Sequence, residues 1–218
     1  MPPSKPSEVF STVPNDRIVS VLSSVASYLG RLPAGEGSYP GAQVKGSVVR
    51  ATLLGLDVAS RLSPGDMPEV AASMIRDPPA VHAWVKEVDF MVVMSAVNEL
   101  CFTKPGSFNE WMLGMNRKLL GGALYKVLFM VVSPERVFVG ADKRWAAFHR
   151  GSEFSAVGVE KSKASIDLTF PKHLFPPCFI QAIGTAFHAA AEAVGAKDVA
   201  VDCVLETNLS ARYDIRWR

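Results

Sequence analysis

The side chains best suited to acid–base or metal chemistry are four histidines, His82, His149, His173 and His188. They lie far apart, and none stands in HExxH, HxH or another spacing that gathers metal ligands. His188 falls on the last predicted helix, one turn after Gly184 and beside an alanine-rich face, where an imidazole can be presented to a cavity as a ligand or a base. The plainer reading is a partly exposed helix histidine. His149, beside Arg150, is expected to close a helix, where a cation suits the negative end of the macrodipole. Cys178 opens a predicted helix, a place that can activate a thiol. Its neighbours Pro177 and Phe179 are apolar and no base is identifiable, so packing is the expected role. The chain holds no GxxxxGK[ST], no GxGxxG after a strand and no GxSxG elbow, and no Asp/Glu pair stands out as a general acid and base. An enzyme is therefore the least favoured reading, no catalytic residue or metal site is assigned, and no cofactor is named.

Methionine and aromatic residues say more. Met91, Met94, Met112, Met115 and Met130 crowd two long predicted helices together with Trp84, Trp111, Phe90 and Phe129. Core packing is the default, but such side chains also line adaptable apolar pockets. The expected ligand-lining set is Trp111, Met115, Phe179, Ile183, Phe187 and His188, and the expected ligand is a small hydrophobic molecule.

These residues must be positioned by an α+β architecture. Residues 1–14 are rich in proline and serine and read as an arm; residues 15–218 read as a single domain, helical over 15–150 and sheet-containing over 151–218. About six helices are expected in the first part. One is capped at Asn15 or Asp16 and ends at Gly30. A loop holding Gly35, Gly37 and Gly41 with Pro33 and Pro40 follows, then a helix over 44–60. Ser63-Pro64 and Asp66 to Glu69 carry helix-start signals. Asp77-Pro78-Pro79 begins a long helix to Phe102, and the capping-box pair Ser107 and Glu110 begins another to Val132, with Gly121 and Gly122 in its middle. Ser133-Pro134 begins the last, through Val137, Phe138, Trp145 and Phe148.

The final third reads as ββαββ. Strands are expected over 154–159 and 164–170. A helix follows with Phe179, Ile183, Ala186, Phe187, Ala190 and Val194 on one face and Gly195 as a left-handed cap. Val199, Val201, Cys203 and Leu205 then alternate with Ala200, Asp202 and Val204. Ala211, Tyr213, Ile215 and Trp217 alternate with Arg212, Asp214 and Arg216, which is a hairpin with one buried face.

Bulk properties bound the function classes. Of 218 residues 49% are hydrophobic and 20% charged, enough for a sizeable core. Lys plus Arg number 23 against 21 Asp plus Glu, with neither sign in a block, so nothing points to nucleic acid or an anionic membrane surface. Cys101, Cys178 and Cys203 are an odd set in apolar contexts, which fits free thiols in a reducing cytoplasm. No signal peptide and no uninterrupted apolar run of roughly 18 residues is seen, so a cytoplasmic protein is expected.

The segments LFMVVSPERVFVGADKRWAAFHRGSEFSAVGVEKSKASIDLTFP, from Leu128, and GTAFHAAAEAVGAKDVAVDCVLETNLSARYDIRW resemble an uncharacterised family of roughly 200-residue proteins abundant in myxobacteria, as does LLGLDVASRLSP from Leu53 to Pro64. The order Gly151, Pro171, Gly195, Tyr213 and Trp217 is also similar to 4-vinyl reductase-like and haem-NO-binding-like domains and, through them, to Bet3-type trafficking subunits. What the resemblance implies is an α+β domain that holds an apolar small molecule and pairs into dimers, without an activity. The vinyl-reductase-like domains carry cysteines near the final hairpin where this chain has Glu206-Thr207-Asn208-Leu209-Ser210, and the Tyr-x-Ser-x-Arg motif of haem-NO-binding proteins is missing. The leading expectation is a cytoplasmic, non-enzymatic sensor or adaptor, with a ligand-free dimeric interaction module as the alternative.

Overall fold

The computed structural model describes residues 21–121 and 133–218. Its architecture is α+β, and its centre is helix α4, Glu87–Cys101. Every residue from Glu87 to Val97 is buried, as the unbroken apolar run from Phe90 to Met94 requires, because a helix apolar on all sides has no face to give to water. Helix α1, Ser23–Arg31, lies on α4, and a carboxylate from α4 serves as its N-terminal cap. Glu99 accepts the backbone N–H of Ser24 at 2.8 Å and of Ser23 at 3.3 Å, while the Ser24 hydroxyl donates to the Ser95 carbonyl at 3.0 Å. Burial pushes the Glu99 carboxyl up, but the serine hydroxyls and amides together outweigh it and hold it below the usual range. The helix runs through Gly30 rather than stopping there, and its expected cap at Asn15 or Asp16 lies outside the described residues.

A three-stranded sheet in the first part was not foreseen. Strand β1 (Gln43–Lys45) is central between β2 (Trp84–Lys86) and β3 (His149–Arg150), antiparallel to both. It corrects two helix expectations. The helix expected over 44–60 is reduced to α2, Gly46–Leu53, with Val44 in a strand, and the long helix begins at Glu87 rather than at Asp77-Pro78-Pro79, with Trp84 in a strand. Gly46 explains part of the local geometry: a Cβ there would stand 2.1 Å from the Ala80 carbonyl oxygen, so only glycine lets the two backbones meet. Gly151, at φ +78°, closes against the Cα of Ala42 in the same way.

Other helix starts also shift. Ser63-Pro64 begins no helix, and α3 runs over Glu69–Arg76 with Pro68 at its N-cap and no side-chain cap. Helix α5, Ser107–Leu120, is preceded by Gly106 at φ +81°, and the Ser107 hydroxyl donates back to the Lys104 carbonyl, so the Ser107/Glu110 capping box does not form. Gly121 ends α5 instead of lying mid-helix; the continuation to Val132 falls outside the described residues. After Ser133 the chain forms α6, Pro134–Val139, with proline in its first turn, then turns at Gly140 into α7, Ala141–Ala146.

The C-terminal part is as expected. Strands β4 (Glu153–Glu160) and β5 (Lys163–Thr169), helix α8 (Pro177–Ala193), and strands β6 (Ala200–Thr207) and β7 (Ser210–Arg216) build an antiparallel sheet of order β4-β5-β7-β6. Ala211, Tyr213, Ile215 and Trp217 are buried beneath α8, and Gly195 takes φ +91°. The alternation weakens on β6, where Leu205 is 46% exposed, because β6 is an edge strand and gains cover from one side only.

Candidate functional site

Helix α5 packs along α8, and polar side chains bridge the contact. Buried Asn116 donates to the Thr185 hydroxyl at 3.1 Å, which donates in turn to the Ala182 carbonyl at 2.6 Å. From the next residue of α5, the Arg117 guanidinium forks onto Glu192, Nε to Oε2 and Nη2 to Oε1, both at 2.7 Å. Glu192 Oε1 also meets His188 Nε2 at 3.2 Å. Arg117 first, and His188 after it, hold the Glu192 carboxyl below the usual range. His188 is thereby fixed in orientation through one ring nitrogen.

Beside this clamp, α5, α8 and the edge strand β6 leave a groove of about 390 Å³. Its walls are Asn109 and Leu113 from α5, Gln181, Gly184, Thr185 and His188 from α8, and the β6 residues 201–203. Asn109 and Gln181 also border a second recess of about 310 Å³ at the start of α5, whose apolar wall is Phe102 and Phe108 and whose rim carries Lys104 and Cys178. The two recesses therefore adjoin, sharing Asn109 and Gln181 as a common wall of one cleft region. At their junction the Asn109 amide nitrogen lies 3.5 Å from Gln181 Oε1, at the limit of a hydrogen bond, and its Oδ1 is shielded from solvent without a partner. The cleft thus combines a mixed lining, apolar at Phe102, Phe108, Leu113 and Val201, with a free acceptor and a fixed imidazole, an arrangement that suits binding and orientation. Burial raises the thiols of Cys178 and Cys203, so neither is an activated nucleophile.

Of the six residues expected to line a pocket, His188 borders this cleft. Trp111 is half-buried against Phe102 and Phe108, with ring centroids 5.2 and 6.0 Å away, and Met115 is half-buried on the same helix. Phe179 packs on Phe90 and Phe175, Ile183 is buried, and Phe187 belongs to a cluster with Phe138, Phe154 and Tyr213. These five border neither recess.

A second polar centre escaped sequence reasoning. His149 is not a helix-capping cation: it sits in β3, buried, with its ring stacked on Trp145 at 3.6 Å and 6° and its Nδ1 3.1 Å from Glu87 Oε2. Glu87 is fully buried, and its Oε1 has no partner. No local pattern announces this pair, because its members are 62 positions apart.

A profile described as "Protein of unknown function (DUF2378)" matches residues 110–218, half of the chain. The chain belongs to this family. The DUF2378 match covers α8 and α5 from Glu110 onward, so Leu113 and the α8 wall of the groove lie within it while Phe102, Phe108 and Asn109 precede it. Among solved structures, the chain is similar to a mutant H-NOX protein of T. Tengcongensis, with TM-score 0.50 and 13% identity over 80% of this chain and 97% of that one. It is also similar to a Cs H-NOX mutant carrying 4-cyano-L-phenylalanine, with TM-score 0.48 and 11% identity over 80% and 96%. At that identity the likeness shows a fold. No curated protein matches the chain. The resemblance read from the tail is thus met as an uncharacterised family with an H-NOX-like fold.

The haem that the haem-NO-binding resemblance brings to mind does not fit this DUF2378 chain. His149 is sandwiched between Trp145 and Glu87, His188 is tied to Glu192, His82 is exposed, and His173 stands in a loop at φ +60°. The space between α8, α6 and the sheet is filled by Phe138, Phe154, Phe187, Tyr213 and Trp217, ring against ring at 5.1 to 6.4 Å. Among the described residues no group of three or more His, Cys, Asp or Glu side chains could hold a metal ion, and no helix is long and apolar enough to cross a membrane.

Proposed function

We propose that this DUF2378 chain is a non-enzymatic sensor or adaptor domain that binds a small, largely apolar molecule in the cleft between α5, α8 and β6. The observation that carries the proposal is the unpartnered, shielded Oδ1 of Asn109 at the junction of two recesses walled by Phe102, Phe108, Leu113 and Val201. A buried acceptor without a donor costs about 1–3 kcal/mol, and a ligand hydroxyl or N–H restores that loss. An apolar body would lie along the aromatic wall while His188, held by Glu192 and Arg117, meets a polar end. Three free, half-buried cysteines agree with work in a reducing cytoplasm.

Native mass spectrometry of protein purified from cells tests this. A retained small molecule is expected, lost or weakened in Leu113→Trp, which fills the groove, and in Asn109→Leu, which removes the acceptor. Protein that is consistently ligand-free, and whose Asn109, Gln181 and His188 NMR signals stay fixed during titration with 8-anilinonaphthalene-1-sulfonate, would overturn the proposal. Loss of the molecule on shrinking Phe179 or Phe187, with Leu113→Trp silent, would move the ligand to the interior instead.

A further inference from the structure

The two edges of the C-terminal sheet are unequal. At β4 the ladder to β5 slips between Ala156 and Gly158, and α6 and α7 pack against the strand. Such a bulge and cover are how an edge is closed to further pairing. At β6 six consecutive residues, Ala200 to Leu205, pair with β7 in unbroken register before the ladder slips at Thr207. The stretch contains no proline and no lysine, and Val204 and Leu205, on opposite faces, are 53% and 46% exposed. Among the described residues no strand pairs with the outer side of β6, and an open, regular, partly apolar edge is a template for one more strand.

We infer that β6 takes up an extended peptide of a partner protein as a fifth strand. Two features say what that peptide is like. The side chains of a strand laid beside β6 alternate between the two sheet faces. On the α8 side, every second side chain would stand at the mouth of the cleft, beside Leu113, Val201 and Cys203, where apolar groups fit. On the opposite side, β6 offers Asp202 and Glu206 and no base. Its neighbours there are Asp214, Arg212 and Arg216 on β7 and Asp167 and Lys163 on β5. Arg216 pairs with Asp202, Arg212 is shared between Asp167 and Glu206, and Lys163 pairs with Glu160. The carboxylates Asp167, Asp202, Glu206 and Asp214 thus outnumber the two guanidiniums, and the edge carries a negative excess. The fitting partner is an extended segment alternating apolar with basic residues, held by main-chain hydrogen bonds as in other cases of strand addition. The inference does not depend on a small molecule in the cleft.

Fluorescence anisotropy with a labelled peptide alternating valine and lysine tests it. Binding is expected, with a loss of ~tenfold or more when alternate peptide amides are N-methylated, which removes ladder hydrogen bonds without touching the protein. A valine–glutamate peptide is expected to bind more weakly than the lysine form. Leu205→Lys, on a residue already half exposed, is expected to weaken binding while circular dichroism stays native. Equal binding of the N-methylated and parent peptides overturns the inference, as does equal binding of the acidic peptide. A solution mass of two chains with no peptide binding overturns it in favour of a second copy on this edge. No peptide binding by protein that retains a small molecule overturns it while leaving the proposed function standing.

Discussion

Replacing His149 by alanine strands the Glu87 carboxylate, which is fully buried and whose Oε1 already lacks a partner. Its Oε2 would then lose the imidazole at 3.1 Å as well. Breaking a buried pair in this way costs about 3–5 kcal/mol. The same substitution removes the ring stacked on Trp145 at 3.6 Å, a contact worth about 0.5–1.5 kcal/mol. A loss of about 4–6 kcal/mol is therefore expected, comparable with the whole stability of a modest domain. The double variant Glu87→Leu/His149→Phe removes both polar partners and keeps the stack, so it should lose much less than the sum of the single variants. Equilibrium urea unfolding followed by far-ultraviolet circular dichroism measures all of these. A loss below ~1.5 kcal/mol for His149→Ala, or additive single and double losses, would refute the view that this pair is a buried, mutually dependent unit.

Gly46→Ala places a methyl 2.1 Å from the Ala80 oxygen and should cost about 1–3 kcal/mol, whereas Gly114→Ala, mid-helix in α5 with nothing within 4 Å, should gain about 0.5–1 kcal/mol; thermal unfolding reads both signs. The Glu192 carboxyl, held low by Arg117, should titrate below the ordinary glutamate value of 4.5. A depressed group keeps its contribution at neutral pH and loses it as pH falls through its folded value, so the α5–α8 clamp should loosen only in acid, and Arg117→Ala should shift that NMR titration upward. With all three thiols raised by burial, iodoacetamide at neutral pH should modify Cys101, Cys178 and Cys203 at least ~tenfold more slowly in native protein than in urea; rapid native labelling of any one would count against the burial described for it.

The sequence was legible where a single period ran long enough to be seen. Helix α8 and the four strands around it were readable because Phe179, Ile183 and Phe187 keep one helical face, and Ala211, Tyr213 and Ile215 keep one strand face. The first sheet was not readable, since its strands are three, three and two residues long, too short for alternation to rise above chance. Its consequence was the misplaced start of α4: Asp77-Pro78-Pro79 is a fair helix signal in isolation, but pairing of Trp84 with Lys45 holds the chain extended until Glu87. The cleft was half legible. His188 was singled out from its place beside small residues, while Asn109, Gln181 and Thr185 are ordinary polar residues on α5 and α8 that acquire meaning only when those helices meet.

Composition and periodicity by themselves determined that this chain buries a large apolar core, ends in a ββαββ sheet unit and carries no catalytic signature in its linear order. These properties depend on neighbours along the chain, within a few residues of one another. Tertiary structure alone decided that Glu87 faces His149, that Arg117 clamps Glu192 onto His188, and that β6 rather than β4 is the open edge. His188 and Glu192 are one helical turn apart, but Glu87 with His149 and Arg117 with Glu192 join positions separated by many residues, and the free energy that selects those comes from burial and pairing, which have no local signal.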